Sequence, residues 1–255
     1  MWFYDFIKRM YNRKNKTKDD VYSKSDMHLR DSMELDTILN QRQIGSPIFT
    51  SHTALMPFEN RTGKLTVVLG MDNTLLQFVD MVPGTDYTAC LFDVTLMNID
   101  RKERIGVYFR PMVNDFLRYG AEHFEMILFT ALSRKYAKPV IDAIDPHGYI
   151  KHRFYRDSCL EVDGILTKPI QNLGRRMERT VLVGNSELCM LSCPDNGILM
   201  SGFTGDPSDD YINQLARFLA HINLLADVRP FLKETFGIRE RLVSKSKIQY
   251  PLLMG

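Results

Sequence analysis

Three short apolar runs punctuate the chain and dictate its architecture. Leu65-Thr66-Val67-Val68-Leu69 ends at Gly70, Met126-Ile127-Leu128-Phe129-Thr130 leads into Ala131, and Val181-Leu182-Val183 ends at Gly184. Runs this short, uniformly apolar and rich in β-branched residues predict central strands buried on both faces. Helix-period patterns cover 113–122, 134–145 and 208–226. Strands alternating with helices predict an α/β fold with a central parallel sheet flanked by helices. Between the first strand and the first helix the texture changes: residues 85–97 and 105–109 flank the turn Asn98-Ile99-Asp100-Arg101-Lys102-Glu103. That pattern predicts a small β-hairpin insertion after the first strand.

Ahead of the first strand the periodicity is of another kind. Trp2, Phe3, Phe6, Ile7, Met10 and Tyr11 recur at helical spacing, and six basic side chains (Lys8, Arg9, Arg13, Lys14, Lys16 and Lys18) follow with no acid among residues 8–18. Residues 1–18 therefore read as an amphipathic, basic arm. An aromatic face beside a basic run suits peripheral contact with an anionic membrane surface; a helix docked on the protein's own core satisfies the same pattern, and the two readings stand equal. A cleaved mitochondrial presequence fits less well, because Asp5, Asp19 and Asp20 come early and serine is sparse. Residues 19–62 read as a polar linker, with one helix near 33–43 and a loop at Gly45-Ser46-Pro47. The folded domain is expected over 63–238, with a C-terminal tail over 239–255.

Charge adds to this division. Thirty-three Lys and Arg against 31 Asp and Glu give +2, which excludes a uniformly basic nucleic-acid binder, and no nucleic-acid partner is expected. Taking the six basic residues of the arm from +2 leaves −4 for the rest of the chain. Four cysteines (Cys90, Cys159, Cys189 and Cys193) do not make a disulfide scaffold and fit an intracellular, reducing compartment. Cys189 and Cys193 lie four residues apart, but no nearby His or third Cys completes a tetrahedral set, so they read as core residues. The six histidines show no metal-ligand spacing, and no stretch reaches the roughly 18 apolar residues of a membrane span.

In open α/β sheets ligands bind beyond the carboxyl ends of the strands. The residues there are Gly70-Met71-Asp72-Asn73-Thr74-Leu75, Thr130-Ala131 and Gly184-Asn185-Ser186, with Lys168 in Leu166-Thr167-Lys168-Pro169. This pattern resembles the haloacid dehalogenase superfamily and, within it, the phosphatases that act on the RNA polymerase II C-terminal domain, the FCP/SCP homology domains. The resemblance runs from about residue 64 to 237. It includes Phe109-Arg110-Pro111, Tyr155-Arg156-Asp157-Ser158-Cys159, Leu173-Gly174-Arg175 and Pro194-Asp195-Asn196. The closing stretches Asp206-Pro207-Ser208-Asp209 and Ala226-Asp227-Val228-Arg229 look most like the Dullard or Nem branch of the nuclear envelope and endoplasmic reticulum, which dephosphorylates lipin.

The resemblance implies a Rossmann-like haloacid dehalogenase fold and a Mg²⁺-dependent protein serine/threonine phosphatase. Its signature is Asp-x-Asp-x-Thr: the first Asp forms an aspartyl-phosphate, and the second protonates the leaving oxygen and then activates water. Mg²⁺ is held by the first Asp, by a backbone carbonyl and by an Asp after the third apolar run. On this chain the nucleophile position is Gly70. Asp72 keeps the acid/base position, while Asn73, Thr74, Thr130 and Lys168 fall at the phosphate-binding positions. Gly184 and Asn185 occupy the metal position, so no metal ligand set and no cofactor are expected. Pro169-Ile170 stands where relatives carry Asp-Leu after the lysine.

Loss of a covalent nucleophile removes on the order of 10⁶ in rate in enzymes where it has been tested. The leading expectation is therefore a pseudophosphatase, a binding or regulatory module with a phosphoprotein or other protein partner, at the nuclear envelope or endoplasmic reticulum surface or in the nucleus. Without its neighbours, Asp72 reads as a turn or cap carboxylate, and Lys168 reads equally as an anion-binding cation or a solvated leftover. Two alternatives remain: an active Mg²⁺-dependent phosphatase that uses Asp72 in an unusual way, and a non-enzymatic protein like the mitochondrial import receptor that shares the fold.

Overall fold

The computed structural model describes residues 63–80, 92–97, 102–162 and 165–249. The readings made for the N-terminal arm and linker lie outside them. In chain order the strands are β1 Thr66–Leu69, β2 Leu76–Asp80, β3 Phe92–Met97, β4 Lys102–Phe109, β5 Glu125–Phe129, β6 His152–Phe154, β7 Leu160–Val162, β8 Ile165–Thr167, β9 Thr180–Gly184 and β10 Gly197–Leu199. The helices are α1 Val113–His123, α2 Arg134–Ile144, α3 Tyr211–Ile222, α4 Arg229–Phe236 and α5 Ile238–Gln249.

Five strands make one all-parallel sheet in the order β10-β9-β1-β5-β6. The three apolar runs are its three central strands, and every residue of β1, β5 and β9 is buried. Each apolar side chain buried there contributes about 1.5–3 kcal/mol relative to exposure, so the uniform run is itself the force that centres these strands. Their register is matched: Leu69 of β1 pairs with Leu128 of β5 and with Val183 of β9. Gly70, Thr130 and Gly184 therefore arrive together at one edge.

The helices cover the sheet through the expected spacing. Val113, Phe116, Leu117 and Gly120 are the buried face of α1, and Ala137, Val140, Ile141 and Ile144 that of α2. Gly120 is required by close approach: a Cβ there would lie 2.6 Å from the Met126 methyl on β5. Helix α3 is shorter than the 208–226 pattern. Residues 206–208 form a turn closed by Ser208 N–H donating to Asp206 (2.9 Å), and the helix starts only after Asp209.

Three features differ from the expectation. The expected hairpin forms as β3–β4, and a third strand extends it to the antiparallel sheet β2-β4-β3, because Leu76–Asp80 pairs with β4 as soon as it leaves the turn after β1. The segment 239–255 does not begin as a tail: α5 runs through that boundary, with Leu242 buried and Arg239 paired to Asp195 at 2.8 Å. A two-stranded hairpin, β7-β8, precedes Lys168 and sets where that residue enters the site. None of the described helices is long and apolar enough to cross a membrane.

At the opposite edge of the sheet from the three glycine- and threonine-bearing ends, Glu125 locks β1 to β5. Arg175 donates two hydrogen bonds to its carboxylate (2.8 and 2.9 Å) and the Thr66 hydroxyl a third (2.8 Å). Burial pushes the Glu125 carboxyl up, but the guanidinium and hydroxyl outweigh it and hold it below its ordinary value of 4.5. A depressed carboxyl stabilises the fold above its unfolded value and loses that contribution as pH falls through the folded one, because the unfolded chain takes up the proton first. Stability followed by urea denaturation should thus fall from about pH 5 downward. Glu125→Gln should flatten that slope and cost about 3–5 kcal/mol at neutral pH, by leaving the Arg175 charge buried without its partner.

Candidate functional site

The chain leaves β1 through Gly70 and Met71 and turns back at once. Thr74 and Leu75 N–H groups both donate to the Met71 carbonyl (3.2 and 2.9 Å), and Asn73 sits at φ 51°, the left-handed region that asparagine tolerates better than most residues. The Phe203 N–H donates to the Asn73 carbonyl (2.8 Å), so the loop after β10 holds the turn from the far side. The turn presents Asp72 to solvent while Thr74 is wholly buried.

Arg110, which follows β4, fixes this turn from below. Its fully buried guanidinium donates to the Thr74 carbonyl (2.8 Å) and the Ser201 carbonyl (3.0 Å), and bidentately to Asp209 (2.8 and 2.9 Å). The Phe203 and Tyr211 rings flank it at 5.5 and 5.1 Å. Asp209 also accepts from the Tyr211 N–H (3.0 Å), capping the start of α3. One arginine thus binds the signature turn, the loop after β10 and a helix terminus into a single body. The sequence motifs Phe109-Arg110-Pro111 and Asp206-Pro207-Ser208-Asp209 hold the two partners, but nothing in either shows that they pair across 99 positions.

The remaining candidates lie at the ends of the same central strands, with Lys168 against Gly70. Gly70 N–H donates to the Val183 carbonyl (2.8 Å), joining the ends of β1 and β9. A Cβ on Gly70 would stand 3.3 Å from Lys168 Nζ and 3.0 Å from Thr74 Oγ1. The Thr74 hydroxyl reaches Asn185 Oδ1 at 3.3 Å. Thr130, buried at the end of β5, accepts from the Leu132 N–H (3.1 Å), and the Cys159 thiol donates to its carbonyl (3.8 Å). Lys168 is buried as a residue, 7% exposed, but its ammonium is not among the buried polar atoms left without a hydrogen bond, so the stem is covered and the charge keeps contact with solvent.

The electrostatics follow from that cation. The crowd of protein around Asp72 raises its carboxyl above the ordinary range even though the side chain reaches solvent; the Asn73 N–H and the Lys168 charge pull the other way. Burial pushes the Cys159 thiol up to about 11 and the Cys189 thiol up as well, again against Lys168. Both thiols are therefore neutral at physiological pH. Cys189, which sequence reasoning assigned only to the core, also shapes the site. A Cβ on Gly184 would lie 3.1 Å from its Sγ and 3.3 Å from the Met190 methyl, and that Sγ donates to the Ser186 carbonyl at 3.0 Å.

Magnesium demands near-octahedral oxygen coordination, and carboxylates supply most of the charge that holds a hard cation. Here the strand ends offer one carboxylate, Asp72, while Asn185 Oδ1 already faces Thr74. The Lys168 ammonium stands against Gly70, and a thiol and a thioether methyl stand against Gly184. Among the described residues no group of three or more His, Cys, Asp or Glu side chains is placed to hold a metal. The donor set does not fit a magnesium ion.

A parallel sheet with an Asp-Asn-Thr turn after β1, a buried threonine after β5 and a buried lysine facing the first turn defines a phosphatase-like α/β domain. The chain belongs to the NLI interacting factor-like phosphatase family, whose model matches residues 65–229. It is 33% identical over 193 residues to "CTD small phosphatase-like protein 2" of Dictyostelium discoideum, covering 76% of this chain and 33% of that protein. It is 37% identical over 175 residues to "Probable C-terminal domain small phosphatase" of the same organism (68% of this chain, 55% of the relative). With human "Carboxy-terminal domain RNA polymerase II polypeptide A small phosphatase 1" the identity is 31% over 173 residues, covering 67% and 64%. The match thus spans from one third to under two thirds of the length of these relatives. Among solved structures it is similar to fission yeast RNA polymerase II CTD phosphatase Fcp1-R271A bound to beryllium fluoride, with TM-score 0.47, 15% identity, and coverage of 74% of this chain and 64% of that one.

Two outcomes check this geometry. Arg110→Met should cost about 3–5 kcal/mol in urea denaturation, and adding Asp209→Asn should cost less than the sum of the two single changes, because the pair acts as a unit. Gly184→Ala should cost about 1 kcal/mol or more by crowding Cys189, and Cys189→Ala in the same chain should recover part of that loss in a double-mutant cycle.

Proposed function

We propose that this protein is a pseudophosphatase: a phosphatase-like domain that binds a phosphorylated protein partner and does not hydrolyse it. The observation that carries the reading is Gly70. At the end of β1, where the family's covalent mechanism needs a carboxylate, there is no side chain, and the nearest retained carboxylate, Asp72, lies in the acid/base role with nothing to serve. In this reading Lys168, Thr130, Thr74 and Asn73 face the phosphoryl group. A cation and hydroxyls at strand ends suit an anion whether or not a bond is then broken. A protein partner accords with relatives named for the C-terminal domain of RNA polymerase II.

Hydrolysis of an aryl phosphate and of a phosphoserine peptide, each with excess Mg²⁺, tests the proposal. The expected rate is that of the Asp72→Asn variant and of buffer alone. Turnover that requires Mg²⁺ and disappears in Asp72→Asn would establish an active enzyme instead.

A further inference from the structure

We propose that the site holds its anion without a divalent cation, with Lys168 supplying the positive charge and Cys189 and Met190 closing the place where a cation's carboxylate ligand would stand. The inference rests on the pseudophosphatase reading and goes past it: the ligand position after β9 not only lacks a carboxylate but is crowded by neighbouring side chains.

Two independent observations carry it. The first is the packing at Gly184. A ligating side chain at this position must pass its Cβ within 3.1 Å of Cys189 Sγ and 3.3 Å of the Met190 methyl. Neither neighbour is a loose surface chain: Met190 is fully buried, and the Cys189 thiol is held by its bond to the Ser186 carbonyl. A thiol whose proton is retained at neutral pH is also a poor ligand for a hard cation.

The second is Lys168 itself. The residue is 7% exposed, so its stem is buried, while its ammonium is not among the buried polar atoms left without a hydrogen bond and keeps contact with solvent. Among the described residues no carboxylate forms an ion pair with it; Asp72 is the acid whose carboxyl it pulls down against burial, and a Cβ on Gly70 would stand 3.3 Å from its Nζ and 3.0 Å from Thr74 Oγ1. A cation at the strand ends with a hydroxyl close by suits an incoming oxyanion, and a second cation of charge +2 next to it would be repelled. The ligand class is a phosphomonoester carried on a protein side chain.

The test uses the full chain, a phosphoserine peptide and inorganic phosphate, with binding read by ³¹P line broadening and by the rise in thermal midpoint, once in EDTA and once in excess Mg²⁺. Equal affinity in the two buffers is expected, with the peptide binding at least as tightly as inorganic phosphate. Lys168→Met should weaken binding by about tenfold to a hundredfold. Binding that appears only with Mg²⁺, absence of binding in both buffers, or binding unchanged in Lys168→Met overturns the proposal; binding of inorganic phosphate without the peptide overturns the protein-borne ligand. The two buffers compared on the parent chain decide the matter even where Lys168→Met folds poorly. A second measurement, Mn²⁺ binding by water-proton relaxation, should detect none in the parent or in Gly70→Asp with Gly184→Asp, and should detect it once Cys189→Ala is added. Mn²⁺ bound by the parent, or as well by the double as by the triple variant, overturns the crowded position. Mg²⁺-dependent binding without turnover defeats this proposal and spares the pseudophosphatase reading; turnover that persists in EDTA does the reverse.

Discussion

The arrangement of the site depends on the buried Arg110–Asp209 pair more than on any other contact. A turn that reverses directly after a strand, with Asn73 in a left-handed conformation, has little of its own to hold it. Arg110 takes the Thr74 carbonyl, the Ser201 carbonyl and the carboxylate that caps α3, so the three segments share one charged centre. Such a pair is costly to desolvate and gains little over a well-packed apolar substitute. What it supplies is geometry: five fixed donors from a planar group aim three chain segments at the same strand ends. The central sheet would form without it, but the signature turn would lose its register against the loop after β10.

From that fixed frame the chemistry reads as a change of charge balance. In the mechanism that the signature serves, aspartates and a divalent cation offset each other and the lysine adds to the cation. This chain has glycine at two of those carboxylate positions and keeps the lysine. With Asp72 the one carboxylate at these strand ends, a cation beside Lys168 meets more repulsion, and an anion more attraction, than in that mechanism. On the proposed reading, the same two glycines that leave the site without bond-breaking groups leave the binding charge less compensated, so that loss of hydrolysis and retention of an anion site would follow from one change, not two.

Much of this was legible in the sequence, and the parts that were not share a cause. β1, β5 and β9 announce themselves because a strand buried on both faces must be apolar throughout, and the residues after them then fall at the ligand edge by register alone. Gly70, Asp72, Thr74, Thr130 and Gly184 fall there by register, whereas Lys168, which follows the short β8, is placed by the family resemblance alone. The three-residue strands β6, β7, β8 and β10 are too short for any period to show, and β2 hides because it follows the signature turn without a break. Helix α5 carries little amphipathic pattern, since Ile238 and Leu242 alone of its described side chains are deeply buried. Asp209 as the partner of Arg110 and Cys189 as the neighbour of Gly184 are facts of tertiary approach. A sequence shows that an acid or a thiol is present, but not what lies within 3 Å of it.

The two glycines, alike in sequence, are unlike in space, and that difference bears on how such a site changes. At Gly70 the atoms closest to a would-be Cβ include the Thr74 hydroxyl and the Lys168 ammonium, two polar groups a carboxylate could engage once they shift slightly. At Gly184 they are a thiol and a thioether methyl, which offer a carboxylate no hydrogen bond of strength and must give way by a few tenths of an ångström to admit a Cβ. Close-packed interiors respond to a lost side chain by filling its volume, and refilling with sulfur replaces a polar position with an apolar one. An aspartate returned to position 70 would find polar neighbours; one returned to 184 would be a buried carboxylate among apolar atoms, with its own charge disfavoured and its metal affinity reduced accordingly.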